Sequence, residues 1–337
     1  ARIAEASGIA PGLASPGVVY VQNDSGDTNR FFALDAHTGA TAATVTVTGA
    51  RNIDWEDIAA APDAAGQPSV WLADIGDNSA VRNEIQVYRV AEPRVSATAR
   101  DRRLRTRPAD VWRLRYPGGP VDAESLAVGP DGTAYVMTKQ LGTSTVYRLP
   151  ARPDPSRVQL LSRVGQLNFA PTGTTNAFGL AGQLTATGAS ISAGGDLLVV
   201  RTYADAYLWR LAGGNLAAAV RRPPVRLALP QQPQGEGICV RGGRLLLTSE
   251  GQHSAVLAVA VPDALLPIAS TTLPPTSTPS GASAPSSSST SPTALPSAAA
   301  SERRSSRWLF PVLLAGAAAA VGATWLLLRS RPRSRPR

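Results

Sequence analysis

Five passages of the chain share one grammar, and a chain that repeats one unit must fold as an array of that unit. Each passage opens with a small or acidic residue and an Ile/Leu-Ala-like step. A turn, a strongly apolar strand, a polar end and a second strand follow. The first reads Ser7-Gly8-Ile9-Ala10, Val18-Val19-Tyr20-Val21, Asn23-Asp24-Ser25-Gly26-Asp27 and Phe31-Phe32-Ala33-Leu34-Asp35. The second reads Glu56-Asp57-Ile58-Ala59, Val70-Trp71-Leu72, Asp74-Ile75-Gly76-Asp77-Asn78 and Ile85-Gln86-Val87-Tyr88-Arg89-Val90. The third runs from Glu124-Ser125-Leu126-Ala127 through the Gly129-Pro130-Asp131-Gly132 turn to Ala134–Lys139 and Val146-Tyr147-Arg148-Leu149. The fourth is read from Ala189-Ser190-Ile191 through Leu197–Thr202 to Ala206–Arg210, and the fifth from Glu236-Gly237-Ile238-Cys239 through Leu245–Glu250 to Val256–Val259.

Further strand-like runs at Ala43–Val47, Val111–Arg115, Val158–Val164 and Val225–Leu229 give each of the first four units four strands. Residues 1–267 are rich in Gly, Pro and short β-branched runs without long helical periodicity, so the class is all-β. Four antiparallel strands per unit, repeated around an axis, is the plan of a β-propeller. Five blades are counted, with room at 120–190 for a degenerate sixth. A β-sandwich is the alternative, but it does not explain a reiterated unit. The fifth unit has three strands, and Arg2-Ile3-Ala4 is expected to supply its outer strand and so remove an unpaired edge at the seam.

The set Trp55-Glu56-Asp57-Ile58-Ala59, Asp74-Ile75-Gly76-Asp77-Asn78, Arg201–Trp209 and Pro233-Gln234-Gly235-Glu236-Gly237 with Ser249-Glu250 resembles exported, membrane-anchored β-propeller proteins of actinobacteria. That group is without an assigned reaction. A looser likeness of blade pattern reaches calcium-dependent lactonase/esterase-like and phytase-like propellers; it implies fold and carries no chemistry.

In a propeller one position of each innermost strand points at the central channel. Glu56, Glu124 and Glu236 stand two residues before Ile58, Leu126 and Ile238, with Ser7 and Ala189 read as their equivalents. Near the far end of the next strand come Asp24, Asp74 and Glu250, with Lys139 and Arg201 in the other blades. A slip of one residue would turn any of these to the opposite face. Converging carboxylates are unfavourable unless protonated, paired or metal-bound. Ca²⁺ takes six to eight oxygens at ~2.3–2.6 Å, so Glu56, Glu124, Glu236, Asp24, Asp74 and Glu250 are candidate ligands for it. Lys139, Arg201, Asp27, Asp77 and Asn78 are candidate ligand-binding residues. Two other readings stay open: a salt-linked channel, and plain Asp-x-Gly-Asp turns at 24–27 and 74–77.

No Gly-x-Ser-x-Gly elbow, Walker loop or His-Glu-x-x-His occurs. His37 and His253, the two histidines, sit in turn-like surroundings, and the single Cys239 falls in a buried strand. Glu56 and Asp57, adjacent on a strand, are expected to face opposite ways and not to share a site.

The net charge of +9 is a tail property. Residues 301–337 carry eight Arg and one Glu, while 1–267 holds 25 basic and 23 acidic residues, so a nucleic-acid partner is excluded. Residues 268–307, Ser/Thr/Pro/Ala-rich, are expected to be a disordered stalk. The 21 uncharged residues 308–328, flanked by Trp308 and Trp325, read as one transmembrane helix in the lipid bilayer. Five Arg follow it and three precede it, placing the tail 329–337 in the cytoplasm and the propeller outside the cell membrane. The start without Met suggests a mature form with its signal peptide removed. Three functions are open: a binding module for an extracellular ligand or protein, a Ca²⁺-dependent hydrolase of an ester, lactone or phosphate, and a surface spacer. No other cofactor is expected.

Overall fold

The structure is a computed structural model, and it describes residues 2–266. The first sheet is built from β1 (Ala6–Pro11), β2 (Val18–Asn23), β3 (Arg30–Asp35) and β4 (Thr41–Thr48). The second contains β5 (Trp55–Pro62), β6 (Pro68–Asp74), β7 (Ile85–Ala91) and, after the outlying β8 (Arg102–Pro108), β9 (Asp110–Arg115). The third has β10 (Ala123–Val128), β11 (Ala134–Thr138), β12 (Thr143–Arg148) and, beyond the two-residue β13 (Gln159–Leu160), β14 (Ser162–Asn168). A short helix α1 (Gly179–Leu184) leads to the fourth: β15 (Ala186–Ile191), β16 (Leu197–Thr202), β17 (Asp205–Arg210) and, after α2 (Leu216–Ala219), β18 (Val225–Ala228). The fifth has β19 (Gly235–Arg241), β20 (Arg244–Ser249) and β21 (Leu257–Ala260).

The strands at the inner edges, β1, β5, β10, β15 and β19, pack against one another in a closed cycle. That makes the sheets five blades of a propeller. Apolar cores fill each gap between neighbouring blades, which is why β2 and β16 are buried along their whole length and open on four apolar residues each. Trp55, Trp71 and Trp112 lie in the first two of these gaps, each at most 2% exposed. Burying one such side chain stabilises by about 1.5–3 kcal/mol. The stretch 120–190 holds one blade plus α1, so the room for a sixth is taken by a long connection.

Three features depart from the sequence reading. The Arg-rich β8 runs parallel to β4 and extends the first blade, and β13 pairs in the same way with β9 of the second. The Arg-rich stretch 102–108 carries no apolar run to mark a strand. On an outermost strand, however, alternating Arg side chains are solvated and deter further pairing. Arg2-Ile3-Ala4 adds no strand to the fifth blade. Instead the Ala4 carbonyl accepts Gly251 N–H at 2.8 Å, and the Glu5 carbonyl accepts Asp24 N–H at 3.0 Å. Asn23 Oδ1 receives the N–H groups of Ala4 and Glu5, so the entering chain stitches blades five and one by loop hydrogen bonds. The seam core, Ile9, Val19, Val21, Phe32, Leu34 and Cys239, is the smallest of the five. No helix of the described residues is long and apolar enough to cross a membrane. The stalk, span and tail expected at 268–337 lie outside the described residues.

Candidate functional site

Each inner strand starts with a break in register. The pairing skips between Ala6 and Gly8, Trp55 and Asp57, Ala123 and Ser125, Ala186 and Gly188, and Gly235 and Ile238. A bulge of this kind re-aims the side chains around it. The skipped residues are Ser7, Glu56, Glu124, Thr187 and Glu236, the last with Gly237. Thr187, and not Ala189, is therefore the fourth blade's equivalent; the sequence alignment of that unit was two residues out. Ser7 Oγ donates to the Glu56 carbonyl at 2.5 Å, and Thr187 Oγ1 donates to the Glu236 carbonyl at 3.1 Å. The two hydroxyl blades thus fasten to their neighbours, while the three glutamate blades carry charge.

One step further in lies Asp57, wholly buried. Its Oδ1 accepts Ile58 N–H at 2.9 Å, and its Oδ2 accepts Leu126 N–H at 2.8 Å and Ala189 N–H at 3.2 Å. These donors occupy the same position in three different blades. Gly8 comes so close that a Cβ there would lie 2.7 Å from Asp57 Oδ1 and 2.6 Å from Ile58 N. Burial drives the Asp57 pKa well above the usual carboxylate range, against the pull of its three N–H donors. Glu56 and Asp57 do have separate surroundings: the first belongs to an acidic pocket, the second to the hub.

The pocket stands at the end of the channel where inner strands begin and second strands end. Asn23, Asp74, Thr138, Thr202 and Ser249 pair with the first residues of the inner strands. The next residues, Asp24, Ile75, Lys139, Tyr203 and Glu250, are therefore equivalent. Asp74 falls one residue before its blade's equivalent, Ile75, and Arg201 falls two before Tyr203, so both are engaged elsewhere. Asp74 pairs with Arg82 at 2.9 Å and accepts the N–H groups of Ile53 and Asp54. Arg201, fully buried, donates to the carbonyls of Gly237 at 3.0 Å and Thr248 at 3.3 Å and to Gln232, joining blade four to blade five. Burial lowers its pKa to about 10.

Two acids that sequence reading missed, Asp54 and Asp122, complete the pocket. They precede Trp55-Glu56 and Ala123-Glu124, so an acid-x-Glu spacing was the available signal, with Glu5-Ala6-Ser7 as a partial copy. Asp24, Asp54 and Glu56 each offer a carboxylate oxygen within 4.8 Å of the other two. Gly76 backs this trio: a Cβ there would collide with Glu56 Oε1 and Asp54 Oδ2. Lys139 Nζ bonds Glu124 Oε1 and lies 5.5 Å from the centroid of the Tyr203 ring. Glu236 is 2% exposed, and its Oε2 has no hydrogen-bond partner among the described residues.

The electrostatics follow from burial with too little positive charge. Desolvation, then Asp24, Glu124, Asp54 and Asp122, raise the Glu56 pKa well above normal. Desolvation lifts Glu124 as well, opposed by Lys139 and assisted by Glu236. Glu236 is pushed up to about 8 by desolvation against the pull of Lys139, and Glu250 to about 8 by desolvation, Asp24 and Glu5. Burial disfavours the Lys139 ammonium, yet Glu124, Tyr203 and Glu236 carry its pKa well above normal.

The remaining sequence candidates have local partners. Asp27 takes Arg30 and the Asn23 amide. Asp77 accepts the N–H groups of Val81 and Arg82, and its own N–H reaches Asp122 Oδ1 at 2.8 Å. Asn78 is exposed in the same turn. Carboxylate oxygens are hard donors that suit Ca²⁺, and bonds of about 2.4 Å to one ion span oxygens up to roughly 4.8 Å apart. Asp24, Asp54 and Glu56 meet that condition.

No family model matches this chain, and no curated protein sequence matches it. Solved structures of similar shape share little sequence. The PQQ-bound aldose sugar dehydrogenase of Streptomyces coelicolor is 13% identical with a TM-score of 0.40, over 76% of this chain and 94% of that one. A chain of a nidogen/laminin complex is 15% identical with a TM-score of 0.38, over 72% of each chain. A luciferin-regenerating enzyme is 16% identical with a TM-score of 0.36, over 73% of this chain and 70% of that one.

Proposed function

We propose that the chain is a ligand-binding propeller that takes a divalent cation, Ca²⁺ by its donor chemistry, in the axial pocket and presents that face to an extracellular ligand. In this reading residues 308–328 tether the propeller to the lipid bilayer with the C-terminus cytoplasmic. The observation that carries it is the mutual approach of Asp24, Asp54 and Glu56 within 4.8 Å. Around them Glu124, Glu236 and Glu250 add further charge, and Lys139 is the ammonium among them. Such a cluster stays neutral only by binding protons or a cation. Among the described residues no observation favours hydrolysis over capture.

The test is the thermal midpoint of the full chain in EDTA and then in excess Ca²⁺. A ligand that binds only the folded state raises the midpoint in proportion to log concentration. A rise with Ca²⁺ that is absent in Glu56→Gln supports the reading. Equal midpoints in EDTA and Ca²⁺ at pH 8 contradict it.

A further inference from the structure

A second cavity opens on the same end of the ring, farther out along the second blade. Strands alternate in direction, so the end where β5 begins is also where β7 begins and β9 ends. Between the turn before β7 and the chain leaving β9 lies a cavity of about 540 Å³. Arg82, Asn83, Arg115, Tyr116, Pro120 and Leu160 line it.

Its polar wall is made of donors with unused capacity. Arg115 is exposed, and among the described residues no hydrogen bond or ion pair holds its guanidinium. Arg82 binds the Gly76 carbonyl through Nη1 and Asp74 through Nη2, which leaves its Nε–H unused among the described residues. Tyr116 is 6% exposed, and its hydroxyl is buried without a hydrogen-bond partner among the described residues. Desolvation, with Asp122 nearby, lifts the phenol pKa well above normal, so the hydroxyl stays a donor. The acids nearby are engaged: Asp74 with Arg82, Glu84 with Arg113 at 2.7 Å, Asp77 with two backbone N–H groups, and Asp122 with the Asp77 N–H and the field of Lys139. Among the described residues Arg115 therefore keeps an uncompensated charge. The lining also has apolar members, Pro120 and Leu160, the latter 50% exposed.

We propose that this rim cavity binds an oxyanion, a carboxylate or a phosphate, carried on a small apolar body. Arg115 supplies the charge, Arg82 Nε and the Tyr116 hydroxyl supply hydrogen bonds, and Leu160 and Pro120 receive the apolar body. The site is independent of the axial cation.

The test titrates the full chain in EDTA with phenyl phosphate and with benzoate, at constant ionic strength. Benzyl alcohol serves as the uncharged control. Saturable binding of either anion is expected, and which of the two binds tells phosphate from carboxylate. Losing one charge-assisted hydrogen bond should weaken binding about tenfold in Arg115→Gln. Tyr116→Phe removes a hydroxyl with no partner among the described residues, so it should weaken anion binding with little change in thermal midpoint. Absence of saturable binding by both anions overturns the proposal. So does binding that Arg115→Gln leaves unchanged, or binding that appears only with Ca²⁺, which would put the anion on the axial cation.

Discussion

The Asp57 carboxylate reaches across the channel to the backbone N–H of Ala189, 3.2 Å away and 132 residues later in the chain. With Ile58 and Leu126 this one side chain joins the inner strands of three blades. Asp57→Ala would leave three buried N–H groups without acceptors, each costing about 1–3 kcal/mol. A loss of at least about 3 kcal/mol in denaturant unfolding is expected, with a smaller loss for Asp57→Asn. A change under about 1 kcal/mol for the alanine variant would mean that the hub is not held through this residue.

Stability of the cation-free chain should fall as pH rises. Glu236 and Glu250 have folded pKa values of about 8, against an unfolded value near 4.5. Between those limits the native state holds more protons than the unfolded chain, so the slope of stability with pH is negative. The contribution is fully present below about pH 4.5 and is lost as pH passes 8. Thermal midpoints in EDTA should drop from pH 5.5 to pH 8.5, and saturating Ca²⁺ should flatten the decline. A rise over that interval in EDTA would contradict the pocket's electrostatics.

Lys139 is a tethered cation inside the acidic pocket, bonded to Glu124 and facing Glu236 and Asp122. Removing its charge should favour any other cation there. Ca²⁺ affinity of Lys139→Met, measured by calorimetry at pH 8, should rise about tenfold, the size of a ~1.4 kcal/mol change in repulsion. An unchanged or weaker affinity would place the cation away from Lys139.

Arg201 has the opposite character. Its donors end on the carbonyls of Gly237 and Thr248 and on Gln232, so it links blades. Arg201→Met should destabilise by roughly 3 kcal/mol, because buried acceptors lose their donors. Ca²⁺ affinity of the folded variant should stay within about threefold of the parent. A large loss of affinity with unchanged stability would return Arg201 to the ligand site.

Much of this was legible in the chain because strand alternation converts spacing into direction. Glu56, Glu124 and Glu236 could be matched by their distance to the next Ile or Leu, and the structure brings all three to the channel. Asp54 and Asp122 were not found, since they stand before the strands and belong to loops until the bulge turns them inward. Asp74 was misplaced by one residue and Arg201 by two, because each is the charged residue at the end of an apolar run, while the true equivalents, Ile75 and Tyr203, carry no charge to mark them. In the fourth blade Ala189-Ser190-Ile191 imitates the start of an inner strand, while Thr187-Gly188, the true start, carries no charge to mark it. Strand β8 was missed for a similar reason: its arginines obey the needs of an outer edge, and edge strands carry little apolar signal.

Anomalous diffraction from a crystal of the protein grown with Mn²⁺ at pH 8 tests the central claim most directly. The account predicts one strong peak in the channel mouth, bonded to oxygens of Asp24, Asp54 and Glu56, and its loss in Glu56→Gln. A channel mouth without anomalous density at saturating Mn²⁺, or a peak bound by other residues, would contradict it.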